Sequence, residues 1–167
     1  MQYAPIVFVL LVSVIVRPVV LGVPVRDNDV HESCEAQFWS NDLCSGTVSV
    51  RGDCKTATLN FAHTNMSEIC TSINFFWSYP IGNLTIIIET PFTIKQQNYM
   101  VQFDNDHMMG AISNVYRLID GKETEVTTTA SKLIQYADSN YQVVLKLQGP
   151  PNLFYYGVFI DYEVAKS

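Results

Sequence analysis

The placement of the cysteines limits most strongly what this chain can fold into. All four, Cys34, Cys44, Cys54 and Cys70, fall in one stretch, and none follows it. An even number of cysteines in an exported chain reads as a pair of disulfides. Their successive spacings of ten, ten and sixteen residues lack the close Cys-x-x-Cys pairs that set two zinc ligands on one turn. The stretch is therefore expected to be a covalent frame and not a metal site. Four cysteines allow three pairings, and spacing does not choose among them.

Export is expected from the N-terminus. Residues 4–16 are almost wholly apolar, followed by Arg17-Pro18 and Val19-Val20-Leu21-Gly22. That length suits a signal-peptide core and is too short to span a bilayer securely. Gly22, with Val20 two positions before it, offers a cleavage site, so residues 1–22 are assigned as signal peptide. Arg17 sits unusually late for such a signal; the alternative is an uncleaved anchor whose apolar run continues to Val25. No later run has membrane length, so the mature chain is expected to be secreted and extracellular, without stable membrane insertion. Residues 23–33 are polar, acidic and aperiodic and read as a flexible N-terminal segment, leaving residues 34–167 as a single domain.

Charge narrows the partners. The chain of 167 residues carries −6, and without residues 1–22 it keeps 9 basic and 16 acidic residues, a charge of −7. Lysines are scattered and no basic run exists, which argues against nucleic acid and anionic membrane surfaces. An aromatic fraction of 12% with only 16% charged residues is the composition of a folded protein with a real core.

After the cysteines the chain reads as short strands separated by turns. Residues 47–50 and 56–61 alternate polar and apolar, with Arg51-Gly52-Asp53-Cys54 between them. Gly at the first central position suits a type II′ turn, so this stretch is expected to be a β-hairpin with its tip at Gly52-Asp53. Ser40-Asn41-Asp42 has a turn composition. Strands are expected at 73–77, 84–89, 99–103, 114–119, 123–129, 132–136, 141–147 and 154–164. Asp120-Gly121 is a strong hairpin turn, and no convincing amphipathic helix interrupts the series. The expected fold is all-β: an antiparallel β-sandwich or jelly roll with two disulfides.

Three segments of the C-terminal part, Asn114-Val-Tyr-Arg-Leu-Ile-Asp-Gly121, Ser139-Asn-Tyr-Gln-Val-Val-Leu-Lys-Leu147 and Gly157-Val-Phe-Ile-Asp-Tyr162, resemble the second half of a CUB domain. The nearest likeness is to divergent, nematode-type secreted CUB-like proteins. The resemblance implies a jelly-roll-like sandwich and a role in binding extracellular protein or carbohydrate. Following the CUB habit, it also implies sequential disulfides, Cys34–Cys44 and Cys54–Cys70. The alternative pairing Cys34–Cys70 with Cys44–Cys54 would close a ring around the Arg51-Gly52-Asp53 hairpin. The chain departs from the family in placing all its cysteines before residue 71. It also has Asn114 where calcium-binding members carry an Asp, and Gln148-Gly149-Pro150-Pro151-Asn152 where they carry an acidic loop residue. The family's calcium site is therefore not carried over, and no cofactor is expected.

Several residues could carry chemistry. An integrin takes a guanidinium and a carboxylate held apart on an exposed turn, which Arg51, Gly52 and Asp53 could present; an ordinary turn is the competing reading. Asn65-Met66-Ser67 and Asn83-Leu84-Thr85 are N-glycosylation acceptors, at Asn65 and Asn83. Asp104-Asn105-Asp106-His107 has oxygen and imidazole donors but lacks the Gly and distal Glu of a calcium loop, and reads as a solvated turn. No nucleophile elbow, zinc-binding helix or phosphate loop is present, so a non-enzymatic chain is expected; paired carboxylates of a hydrolase, which converge only in space, are the remaining catalytic alternative. In 75–79 and 154–156 neighbouring aromatics on a strand point to opposite faces, so some are exposed. Trp77, Tyr79 and Tyr155 are the candidates for contacting a sugar ring or protein partner, against the competing reading of core packing.

Overall fold

A computed structural model describes residues 34–167 apart from 65, 67, 68, 109 and 153–155. The expected signal peptide, the segment 23–33, Asn65 and Tyr155 lie outside the described residues. Twelve strands among those described form two six-stranded sheets. In chain order they are β1 (Cys34–Glu35), β2 (Gln37–Asp42), β3 (Ser45–Ser49), β4 (Thr56–Asn60), β5 (Ser72–Ser78), β6 (Asn83–Glu89), β7 (Tyr99–Asp104), β8 (Asn114–Ile119), β9 (Lys122–Glu125), β10 (Lys132–Tyr136), β11 (Gln142–Gln148) and β12 (Gly157–Lys166). A one-turn helix, α1 (Asn105–Met108), follows β7. The first sheet runs β1-β4-β6-β11-β8-β9 and the second β10-β7-β12-β5-β3-β2.

Period-two patterning builds the sandwich. Along β5, Ile73, Phe75 and Trp77 are buried while Ser72, Asn74, Phe76 and Ser78 are not; β6 alternates in the same way, with Leu84, Ile86 and Ile88 inward. The two inner faces meet in one apolar core. Its centre is a run of aromatic rings, with Phe61 against Phe38, Phe75 and Tyr162 at centroid distances of 5.4–5.8 Å and Tyr162 against Phe103 at 5.5 Å. Such edge and tilted contacts stabilise beyond area burial alone. The Asp120-Gly121 turn forms as expected. Both residues have positive φ, 50° and 75°, which matches a type I′ turn, and Ile119 pairs directly with Lys122.

Three expectations about strand topology change. Arg51-Gly52-Asp53-Cys54 is not a hairpin tip, because β3 belongs to the second sheet and β4 to the first. The inward residues of both strands (Gly46 and Val48, Ala57 and Leu59) bury into the core between the sheets, so the chain must cross over between them. The crossing is a tight turn in which the Cys54 amide donates to the Arg51 carbonyl at 3.0 Å, and Gly52 lacks the positive φ of a type II′ turn. Crossing between sheets also makes three pairings parallel within the otherwise antiparallel sandwich: β1 with β4, β4 with β6, and β3 with β5. Finally, Ser40-Asn41-Asp42 is the end of edge strand β2, not a turn.

The disulfides are Cys34–Cys54 and Cys44–Cys70, with Cα separations of 6.0 and 5.7 Å. This corrects the sequential pairing and is not the ring-closing alternative either. Cys34 lies on β1 at the edge of the first sheet, paired opposite Ala57, so its bond to Cys54 fastens that edge to the crossing turn. Cys44 precedes β3 and its carbonyl accepts from the Asn74 amide at 3.1 Å, so its bond to Cys70 fixes the approach to β5.

Candidate functional site

Because Trp77 and its period-two partners fill the core, the alternate residues of the second sheet form an outer face. Registers align a row across four adjacent strands: Trp39 of β2 opposite Thr47 of β3, Thr47 opposite Phe76 of β5, and Phe76 opposite Phe159 of β12. At ~4.8 Å per strand the row is about 14 Å long. Trp39 is 49% exposed and Phe159 54%. The Phe76 and Phe159 rings meet at 4.9 Å and 52°. A Cβ on Gly157 would stand 2.1 Å from Phe76 Cζ, so only glycine lets that ring lie down on β12. Beyond the strand ends Tyr79 and Tyr156, 53% and 82% exposed, pack edge to face at 6.4 Å. The Tyr79 amide donates to the Tyr156 carbonyl at 2.9 Å, with Tyr79 held at φ 48°. A left-handed conformation at an aromatic residue persists only where its surroundings impose it.

A polar row runs beside the aromatic one. Ser45 pairs opposite Asn74, and Asn74 opposite Asp161. Asn74 Nδ2 donates to Asp161 Oδ1, and His107 Nδ1 of α1 lies 2.8 Å from Asp161 Oδ2 and 3.8 Å from Asp104 Oδ2. A carboxylate only accepts, so His107 Nδ1 carries the proton. The hydrogen bond to Asp161, and next the charge of Asp104, raise the His107 pKa above its ordinary value. His107, Asp161, Asn74 and Phe159 line a recess of about 340 Å3, with Gly110 and Ala111 also on its wall. A larger groove, about 490 Å3, runs along the open edge between β1 and β2, over Phe38, Leu59 and Met66. It adjoins the 65–68 stretch, three residues of which lie outside those described.

No protein-family model matches the chain, and no curated protein matches it.

The sequence candidates fall in different places. Trp77 is 0% exposed, so it belongs to the core and corrects the expectation of a surface contact; its neighbour Phe76 takes the outer face instead. Tyr79 is exposed just past the end of β5, beyond the strands that carry the aromatic row, whereas Tyr155 lies outside the described residues. Arg51 and Asp53 are exposed but bonded to each other, Nε to Oδ1 at 3.1 Å and Nη2 to Oδ2 at 2.6 Å. The two groups are thus not held apart as an integrin ligand would require, which agrees with the competing reading of an ordinary turn. Asn83 opens β6 with a half-buried side chain on the outer face of the first sheet, away from the aromatic row. In 104–107, Asn105 is buried and no part of a solvated turn: its amide donates to the Thr128 and Ala130 carbonyls at 2.8 and 2.7 Å. Among the described residues no group of three or more His, Cys, Asp or Glu is placed to hold a metal.

Sequence patterning points to Phe76 only as a member of the aromatic stretch 75–79, and to Trp39, Phe159, Asn74 and Asp161 not at all. The signal was present for Phe76, since burying Trp77 forces it outward. For Trp39 and Phe159 the decisive fact is cross-strand register, which joins residues 120 positions apart.

Proposed function

We propose that this chain is a secreted, non-enzymatic binding module that recognises an extracellular glycan through the outer face of its second sheet. The aromatic row Trp39, Phe76 and Phe159 carries this reading. Aromatic side chains presented along one outer face of a sheet suit stacking on sugar rings, through an apolar ring body that needs little ordering on binding. Polar groups within the row, at Thr47, and beside it, at Asn74 and Asp161, supply hydroxyl partners at fixed positions. The likeness of 114–121, 139–147 and 157–162 to CUB-like proteins supports an extracellular binding role, and two disulfides accord with an oxidising compartment. Glycosylation at Asn83 would leave the aromatic face clear.

Tryptophan fluorescence tests the proposal, since the chain has two tryptophans and only Trp39 is exposed. The purified protein is titrated with hexasaccharides of β-glucan, mannan and chitin. At least one should shift the emission, and Phe159→Ala should weaken that binding about three- to tenfold. Absence of any response, checked by calorimetry, or unchanged affinity in Phe159→Ala overturns the reading. Capture of a protein by the same face with no glycan bound would move the proposal to a protein partner.

A further inference from the structure

We infer that the recess between α1 and β12 is the subsite that fixes one ring of the glycan, with Asp161 as its specificity-determining residue, and that it restricts the face to uncharged sugars. This inference rests on the proposed glycan reading. The recess of about 340 Å3 lies at the low end of the roughly 300–1,000 Å3 of small-ligand sites, a size for one ring and not a long chain. Phe159 belongs to both the recess and the aromatic row, so a glycan stacked along the row is led into it.

Asp161 is held from two sides by different elements. Asn74 of β5 donates to one carboxylate oxygen and His107 of α1 to the other. Each oxygen keeps a second lone pair, so the group can accept two neighbouring hydroxyls at once without first being ordered. Asn74, once its amide is committed, still has a carbonyl oxygen to accept with, and His107 keeps Nε2 as a further polar group. Gly110 and Ala111 bring no bulky side chain to the wall.

Charge decides the class of sugar. Asp104 and Asp161 flank His107, and Asp106 lies on the same helix turn. Glu163 is exposed two residues further along β12, on the same outward face. The positive charge His107 gains on protonation is already opposed by Asp161 and Asp104, and beyond it the opposing cation by register is Lys132 of β10, opposite Asp104 of β7. A uronate, sulfate or sialate entering the recess would meet Asp161 directly, and like charges at contact oppose binding. A hydroxyl meets an acceptor instead.

The test uses the folded, disulfide-bonded protein and calorimetry with neutral hexasaccharides of β-glucan, mannan and chitin, beside hyaluronan and heparin fragments of similar length. The wild type should bind a neutral fragment at least tenfold more tightly than either anionic one. Asp161→Asn should weaken the neutral fragment about tenfold and narrow the gap to the anionic ones. Asn74→Ala, which frees the Asp161 carboxylate to turn, should weaken the neutral fragment while leaving the anionic discrimination. Thermal melts check that both variants fold. If both variants bind like wild type while Phe159→Ala does not, the subsite is overturned and the aromatic face stands. Tighter binding of an anionic fragment likewise overturns the subsite alone. If no glycan binds, both readings fall.

Discussion

The Arg51 guanidinium and the Asp53 carboxylate close on each other through two bonds, of 3.1 and 2.6 Å, on a turn that carries the chain from one sheet to the other. A receptor that needs both groups would first have to separate them. Cys54, the next residue, is bonded to Cys34, so the turn is also anchored at one side. Cell attachment to the immobilised protein should therefore be the same for wild type and Asp53→Glu. Loss of attachment in the variant would show that the pair opens and that the tripeptide is an adhesion site.

The disulfides should be separable by experiment. Non-reducing digestion should release peptides joined as Cys34–Cys54 and Cys44–Cys70. Replacing either pair by serine should lower stability by about 2–4 kcal/mol, because each bond limits the unfolded chain. Recovery of a Cys34–Cys44 peptide from freshly secreted protein would contradict the observed pairing.

An inward-facing cation ties the two sheets near one end of the sandwich. Arg117 of β8 is buried, and its Nη1 donates to the Val144 carbonyl at 3.0 Å and its Nη2 to the Gln142 carbonyl at 2.9 Å. Nη2 also reaches the Tyr136 carbonyl on the second sheet at 3.2 Å and the buried Asp138 carboxylate at 3.6 Å. Burial lowers the Arg117 pKa and the charge of Asp138 opposes that shift. Removing one member of such a pair strands the other, so Asp138→Ala should cost about 3–5 kcal/mol in urea unfolding. Arg117→Ala should cost a similar amount. A loss below about 1 kcal/mol would mean that water, not the partner, satisfies the remaining charge.

His107 is the histidine of the candidate face, and its pKa is raised from its ordinary value by the hydrogen bond to Asp161 and then by the charge of Asp104. Facing it are Asp161 of β12 and Asp104 of β7, with Asp106 on its own turn and Lys132 of β10 beyond Asp104. Its pKa is raised above 6.5, so the stabilisation it provides is complete below that value. It is lost as pH rises through the folded-state pKa. The His107 ring resonance, followed by NMR, should titrate above 6.5 in the wild type and closer to it in Asp161→Asn. Identical midpoints would show that Asp161 does not hold the imidazolium.

Much of the fold was legible in the order of residues, for a local reason. Strand formation on a half-buried sheet requires alternation, and alternation is visible over five to seven residues: β5, β6, β7, β8, β10 and β11 fall within a residue or so of where patterning places them. The Asp120-Gly121 hairpin was legible because its turn chemistry needs only two positive φ angles. Edge strand β2 was not, since its exposed Ser40, Asn41 and Asp42 have the composition of a turn and only pairing with β3 holds them extended.

What alternation cannot reveal is which sheet a strand joins. Residues 45–49 and 56–60 look like two arms of one hairpin, yet their inward residues reach the core from opposite sheets. The disulfide pairing follows from that crossing, because the core and not the spacing brings Cys34 to Cys54 and Cys44 to Cys70. In 75–77 the sequence required that neighbouring aromatics face opposite ways. Only the packed core decided that Trp77 goes in and Phe76 out. By itself the sequence determined most of the strands after residue 70 and the alternation of their two faces, since each depends on near neighbours. The sheet assignments, the cysteine pairs and the row from Trp39 to Phe159 were decided by tertiary structure, because burial of the two inner faces is satisfied only by the whole sandwich at once.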